Sequence, residues 1–526
     1  MANRLSADPK VTVLLLEAGG PGPRFWVDMP AGMRILLGHR QADWRYATER
    51  DETLGGRQVA WPRGKLLGGS SSINGLVYIR GSRADYDDWA AQGCRGWSFD
   101  ELLPYFRKSE SFEGVPPGSS HGLSGPMSVS RQRSPHPLAQ AFIGACGELQ
   151  IPEIADYCGG DQDGAFEVLS NQRRGRRSGS AAAFLDPICT RKNLEIWTEC
   201  AVEKVLFTEG RATGCRVRRS GNMVDLAAKN EIILAAGAIE SPAILLRSGV
   251  GDPSMLMALG IEVIADVPGT GRNLQEHPLV LTGREVNVAT YNTQASPPQL
   301  LKHLLTYWLS GKGLLAAAAC SAMANVKTLP GLCDPDVTFH FMPIAFDRKS
   351  AQIVAEGRIP PLYPKPAIRI AASLCRPHAR GEIRLRSLSL DDKPMIDLRM
   401  LSDQRDVDAL IRGAKLAERI YDTDSLKPFI VDRIPPVAPT QEDEWVGFLR
   451  DNVGVGYHPV GTCKMGVGDD AVVDPQLRVR GVSGLRVADA SVMPTLVSAN
   501  TNAPSMMIGE KAAELIRHER MLRRWA

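Results

Sequence analysis

The chain has 526 residues, 44% hydrophobic and 23% charged, with a formal net charge of +3. That length exceeds one ordinary core and predicts two or three domains, while the net charge is too small to imply nucleic acid or an anionic membrane as the main partner. Ten cysteines without a C-x-x-C pair or a Cys/His ligand spacing favour reduced thiols over a disulfide framework, and no metal ligand is assigned. The N-terminus lacks a basic-then-apolar leader, and the apolar run at 314–324 is too short to cross a bilayer. A cytoplasmic enzyme without a membrane span is the expectation.

Residues 2–6 read as the end of a helix, and Asp8 and Pro9 as a turn. The apolar run 11–16 ends on Glu17, followed by Gly19 and Gly20. A short apolar strand with glycines after it suits a parallel sheet covered on both faces. An acid at such a strand tip is where dinucleotide folds hold the adenosine ribose. No G-x-G-x-x-G turn follows an apolar strand anywhere in the chain, so the chain is expected to begin inside the first helix of a β-α-β unit.

Residues 62–81 set Gly64, Gly68 and Gly69 beside Ser70, Ser71, Ser72 and Asn74. Glycine lets backbone approach a flat or anionic ligand, and the short polar side chains add donors and acceptors. The apolar continuation Leu76, Val77, Tyr78 and Ile79 predicts that this loop is anchored in the interior. The arginines at 173, 174, 176 and 177, like those at 520, 523 and 524, read as solvated surface.

Residues 194–198, 201–207 and 214–217 suggest an antiparallel meander, and 231–237 and 484–490 further parallel strands. After Gly237 the pattern is a glycine turn and a helix with Ser241 and Pro242 near its start. The segment 276–455 differs, with a helix near 299–310 and strands near 336–341 and 381–386. Two domains are predicted, one from 1–275 with 456–526, the other from 276–455. Pro459 holds His458 in extended geometry, and Pro504 places Asn502 at or near a helix N-cap.

These blocks together resemble the glucose–methanol–choline (GMC) family of flavin-dependent oxidoreductases. Residues 64–87 resemble its first signature, 237–251 its second, and the segments H-P-V-G-T-C-K-M-G and N-T-N-A-P-S-M-M-I-G-E-K its C-terminal blocks. The resemblance implies an α/β protein: a Rossmann-like FAD-binding domain, here without its first strand, and an α+β substrate domain on an antiparallel sheet. It implies FAD as cofactor and a choline- or alcohol-dehydrogenase-like oxidation of a primary or secondary alcohol. By motif position His458 is the base and Asn502 the hydrogen-bond donor to the substrate oxygen. Glu17 matches the ribose-binding acid, and Gly68, Gly69, Ser71 and Asn74 the segment passing the isoalloxazine. Val202 matches the residue whose backbone meets adenine, and Asp489 and Ala490 the strand end at the pyrophosphate and ribityl chain. Some members bond the flavin covalently through a histidine at the Asn74 position, so asparagine there implies non-covalent FAD.

Two departures qualify these expectations. The absent strand and glycine turn imply that the natural protein begins roughly thirty residues earlier, and that the chain as written gives little soluble protein or a flavin-free one. The substrate segment aligned with 313–328, with Ser321 near the position of the choline-binding glutamate, contains no acid, which implies a small uncharged alcohol. A lyase relative that keeps the flavin, and a flavin-free remnant, are the alternative readings. The electron acceptor (oxygen, quinone or carrier) and the oligomeric state are left open by the sequence.

Overall fold

The computed structural model describes residues 1–294, 297–347, 353–354 and 356–525. Strand β1 (Val13–Leu16) runs parallel to β2 (Leu194–Trp197), with Val13 opposite Leu194 and Leu16 opposite Trp197. Strand β3 (Ile232–Leu234) runs parallel to β4 (Leu485–Val487). The two pairs are separate two-stranded sheets. Val13 of β1 and Ile233 of β3 lean on one apolar cluster of Leu5, Ala513 and Ile516, and a large cavity is lined by both 11–17 and 231–237. Leu14 is 40% exposed, unlike a residue in a strand covered on both faces.

The stretch 194–198, expected in the meander, is instead the parallel partner of β1. Glu199, in left-handed geometry at φ 54°, turns the chain between β2 and the next strand. The meander itself comprises Cys200–Thr208, Arg211–Arg219 and Asn222–Ala227.

Helix α1 (Gly237–Arg247) follows β3 directly. It begins at Gly237, so Pro242 lies in its second turn, later than the sequence pattern implies. A proline there has no N–H for the carbonyl four residues back. That carbonyl, on Ala238, accepts instead from the Thr462 hydroxyl at 2.7 Å. The C-terminal H-P-V-G-T block is thereby fastened to α1.

The seven-stranded sheet of Gly164–Glu167, Pro278–Val286, Ala322–Val326, Val337–Met342, Ala367–Leu374, Ile430–Arg433 and Gly454–Val455 is antiparallel. Helix Gln404–Tyr421 turns Val407, Leu410, Ala414 and Ile420 into the core beneath it. Strand Gly164–Glu167 reaches this sheet from outside the segment 276–455. Helix α2 (Pro297–Ser310) lies at the surface, its Tyr307 hydroxyl donating to the Asp28 carbonyl at 3.4 Å. The last helix, α3 (Asn502–Trp525), buries Ala503, Met507, Ile508 and Ala512 in the main core.

Leu76, Val77, Tyr78 and Ile79 are buried, as the apolar run predicts. Behind them Arg80 and Glu110, both fully buried, form an ion pair that His121 extends through Nδ1 to Glu110 at 2.6 Å.

Candidate active site

A cavity of about 2170 Å³ connects the elements singled out by the sequence. Ligand pockets usually measure roughly 300–1,000 Å³, so this one has room for a dinucleotide and a substrate together. Glu17, Val202, Gly68, Gly69, Ser71, Asn74, Asp489, Ala490, His458 and Asn502 all line it.

The loop 64–74 is shaped by close backbone approach. A Cβ on Gly64 would lie 2.3 Å from the carbonyl of Gly69, so only glycine fits there. Gly69, at φ 54°, has open space where its own Cβ would stand, which leaves bare backbone against the cavity. Ser71 turns its hydroxyl to the Gly68 carbonyl at 2.7 Å and accepts from the Ser180 amide at 2.9 Å. Asn74 Oδ1 accepts from Arg177 at 2.7 Å and from the Leu76 amide at 3.1 Å. Both polar side chains therefore stiffen the loop.

At the strand ends, Glu17 accepts from the Gly19 amide at 2.8 Å, and burial pushes its carboxyl up to about 7. Asp489 accepts from the Gly237 amide at 2.8 Å and the Ser241 hydroxyl at 2.6 Å, bracing the start of α1. Its other oxygen accepts from the Ser491 amide at 2.8 Å.

His458 meets Asn500 and not Asn502. Asn500 Nδ2 lies 2.9 Å from His458 Nε2, whereas the Asn502 amide donates to Asn171 Oδ1 at 3.1 Å. Asn502 opens α3, and two residues earlier Asn500, ahead of the helix, lines the cavity with its amide on His458. The expected pairing of His458 with Asn502 is corrected on this geometry.

Two residues that the sequence did not single out complete the group. Glu276 accepts from the backbone N–H of His458 at 2.7 and 2.8 Å, from that of His277 at 2.8 Å and from Trp61 Nε1 at 2.9 Å. His277 Nδ1 lies 2.9 Å from His458 Nδ1, and His277 Nε2 lies 3.1 Å from the Cys375 carbonyl. A carbonyl can only accept, so His277 Nε2 carries a proton and, in the neutral ring, Nδ1 offers a lone pair. His458 must then donate from Nδ1, which leaves Nε2 as its basic nitrogen, facing Asn500. A legible signal existed: Glu276, His277 and Pro278 repeat the His-Pro pairing of His458 and Pro459, with the same restriction to extended backbone.

The electrostatics agree with neutral imidazoles. Burial, then the neighbouring His277, His340 and Arg63, holds His458 well below its ordinary value. Burial lowers His277 and His340 to about 4. Glu276 rises to about 7 because it is buried, an effect opposed by the histidine amides and Arg63.

Leu279, Leu281, Met342, Ile344 and Phe346 make much of the cavity wall on the side of the antiparallel sheet, with Arg369 and Asp347 adding opposite charges. Ser321, expected near the substrate, is fully buried and does not line the cavity; Ala319 and Cys320 line it in its place. Ser321 sits just before strand Ala322–Val326, its amide donating to the Phe341 carbonyl at 3.0 Å.

The donor set fits FAD. The cavity joins a strand-tip acid and the Val202 strand to exposed glycine backbone and then to a histidine–amide pair, the order a dinucleotide with a reactive ring requires.

Comparison with known proteins gives the same direction. Residues 31–279 and 377–509 match the family described as GMC oxidoreductase. The chain is 37% identical over 530 residues to the mitochondrial choline dehydrogenase of Homo sapiens, covering 98% of this chain and 87% of that one. It is 37% identical over 523 residues to an alcohol dehydrogenase [acceptor] of Pseudomonas putida, covering 98% and 93%. A formate oxidase from Aspergillus oryzae RIB40, in a variant made to study FAD modification, superposes with a TM-score of 0.90 at 25% identity, covering 98% and 96%.

Proposed function

Given that the chain belongs to the GMC oxidoreductase family and is an FAD-dependent alcohol oxidoreductase, we propose that His458 is its base and Asn500 its oxyanion donor. The observation that carries this reading is the 2.9 Å approach of Asn500 Nδ2 to a His458 Nε2 left unprotonated by its partners. Bound FAD supplies the acceptor for the hydride that leaves the alcohol carbon.

The chain's own residues do the rest. A substrate hydroxyl seated between Nε2 and the Asn500 amide gives its proton to Nε2. The amide, which donates to Nε2 in the free protein, then donates to the oxygen on which negative charge develops. As His458 becomes an imidazolium, its Nδ1–H keeps donating to His277. Glu276 holds the backbone on both sides of this pair, so the ring does not have to reorganise. Asn74 has no nucleophilic atom, and its oxygen is committed to Arg177 and Leu76, which supports FAD held non-covalently. The apolar wall at Leu279, Leu281, Met342, Ile344 and Phe346 favours an uncharged alcohol over a quaternary ammonium.

The test is anaerobic flavin reduction in the reconstituted protein. Benzyl or aliphatic alcohols should bleach the flavin and choline should do so poorly. His458→Ala should slow reduction at least ~10²-fold, the usual worth of a positioned base. Unchanged reduction would remove His458 from the mechanism, and a flavin that no alcohol bleaches would favour the lyase alternative.

A further inference from the structure

Helix α2 is apolar on the side that faces water. Leu301, Leu305, Trp308 and Leu309 are 72%, 56%, 78% and 68% exposed, and Leu300 is 40% exposed. At 3.6 residues per turn these positions form one continuous stripe. His303, Thr306 and Tyr307 are turned instead toward the protein and half-buried. A surface helix that packs on its own fold shows the reverse arrangement. A further exposed aromatic, Phe25 at 58%, lies on the helix Arg24–Asp28, whose last carbonyl receives the Tyr307 hydroxyl.

Cations fringe the stripe. Lys302 and Lys312 are exposed, as are Arg173, Arg174 and Arg176 on a neighbouring hairpin. The hairpin is seated against the end of α2: a Cβ on Gly175 would lie 2.0 Å from the Gly311 carbonyl. Arg133 binds the Ser310 carbonyl at 3.4 Å. The acids nearby are already engaged. Glu113 takes Arg133 at 3.1 Å and the Arg174 amide at 3.0 Å, and Asp28 lies 3.9 Å from Arg24.

We propose that α2 is an in-plane anchor that seats this enzyme on an anionic lipid surface. Leucine and tryptophan side chains would enter the boundary between headgroups and acyl chains, while the arginine hairpin and the two lysines meet anionic headgroups. No helix among the described residues is long and apolar enough to cross a membrane, so the contact is peripheral. A second copy of the chain is a poorer occupant. A two-fold contact places identical patches face to face, and here it would bring two sets of five uncompensated cations together. Arg173, Arg174 and Arg176, read from sequence as solvated surface, are on this account the electrostatic half of a docking site, whereas Arg177 of the same run is buried against Asn74. The inference does not depend on the roles of His458 and Asn500.

Vesicle flotation of the full chain tests it, with phosphatidylcholine alone and with phosphatidylglycerol mixed in. The wild type should float with the anionic vesicles, less so as salt is raised, and weakly with the neutral ones. Combined Leu301→Ser, Leu305→Ser and Trp308→Ser changes should abolish flotation without lowering the melting temperature. Replacing Arg173, Arg174 and Arg176 by glutamine should weaken anionic binding by roughly 5-fold per charge and flatten its salt dependence. Wild type that stays unbound at low salt overturns the proposal. So does wild type that sediments as a dimer dispersed by the serine variant while vesicles are ignored.

Discussion

At the scale of single residues, the site is decided by which atoms already have partners. Asn502 and Asn500 are chemically identical and two positions apart, so sequence spacing alone could not separate them; only the Asn171 contact shows that Asn502 is occupied elsewhere. Asn500→Ala should therefore lower the flavin-reduction rate by ~10²-fold, the loss of one oxyanion donor, whereas Asn502→Ala should change it by less than about 3-fold, a difference stopped-flow reduction resolves. His277 differs from both, since it does not line the cavity and, on the proposed reading, acts by fixing the tautomer of His458. His277→Leu should cost rate, and His277→Asn, which keeps an acceptor for the His458 Nδ1–H, should recover part of it. The acid limb of kcat/KM should lie below pH 6.5 in the wild type, because His458 is held below its ordinary value. Stability follows the same sign: His277 is neutral when folded down to about 4 but takes a proton near 6.5 when unfolded. Its contribution is complete above pH 6.5 and is lost as pH falls toward 4.

Elements were more legible than individual contacts. The apolar runs at 11–16, 231–237 and 484–490 became strands because four to seven such residues with glycines nearby have few alternatives. The pairing of β1 with β2 was not legible, since parallel partners here lie about 180 residues apart and no local pattern encodes them. The late proline of α1 shows a similar limit. Pro242 reads as a first-turn residue until the Thr462 hydroxyl, distant in sequence, is seen replacing its missing N–H. Thr462→Val should then leave the buried Ala238 carbonyl unpaired at a cost of about 1–3 kcal/mol. Urea unfolding, with an unchanged slope, would measure it, and a neutral result would show that the helix tolerates the open carbonyl.

Across the whole molecule, one cavity is lined by both β1 and β3, strands of two separate two-stranded sheets. A ligand that spans it contacts both, and anything bound only by the folded form raises stability by mass action. FAD titrated to about 100 times its Kd should raise unfolding stability by about 2.7 kcal/mol, read as a concentration-dependent rise in melting temperature. A melting curve indifferent to FAD would count against this cavity as the FAD site. The four-residue clamp at Glu276 has a further consequence. Trp61 belongs to the glycine-loop side, His277 leads into the antiparallel sheet, and His458 arrives from the C-terminal block. One carboxylate stitches three stretches of chain that are far apart in the sequence. On the proposed reading, loosening any of the three should silence turnover well before the protein melts.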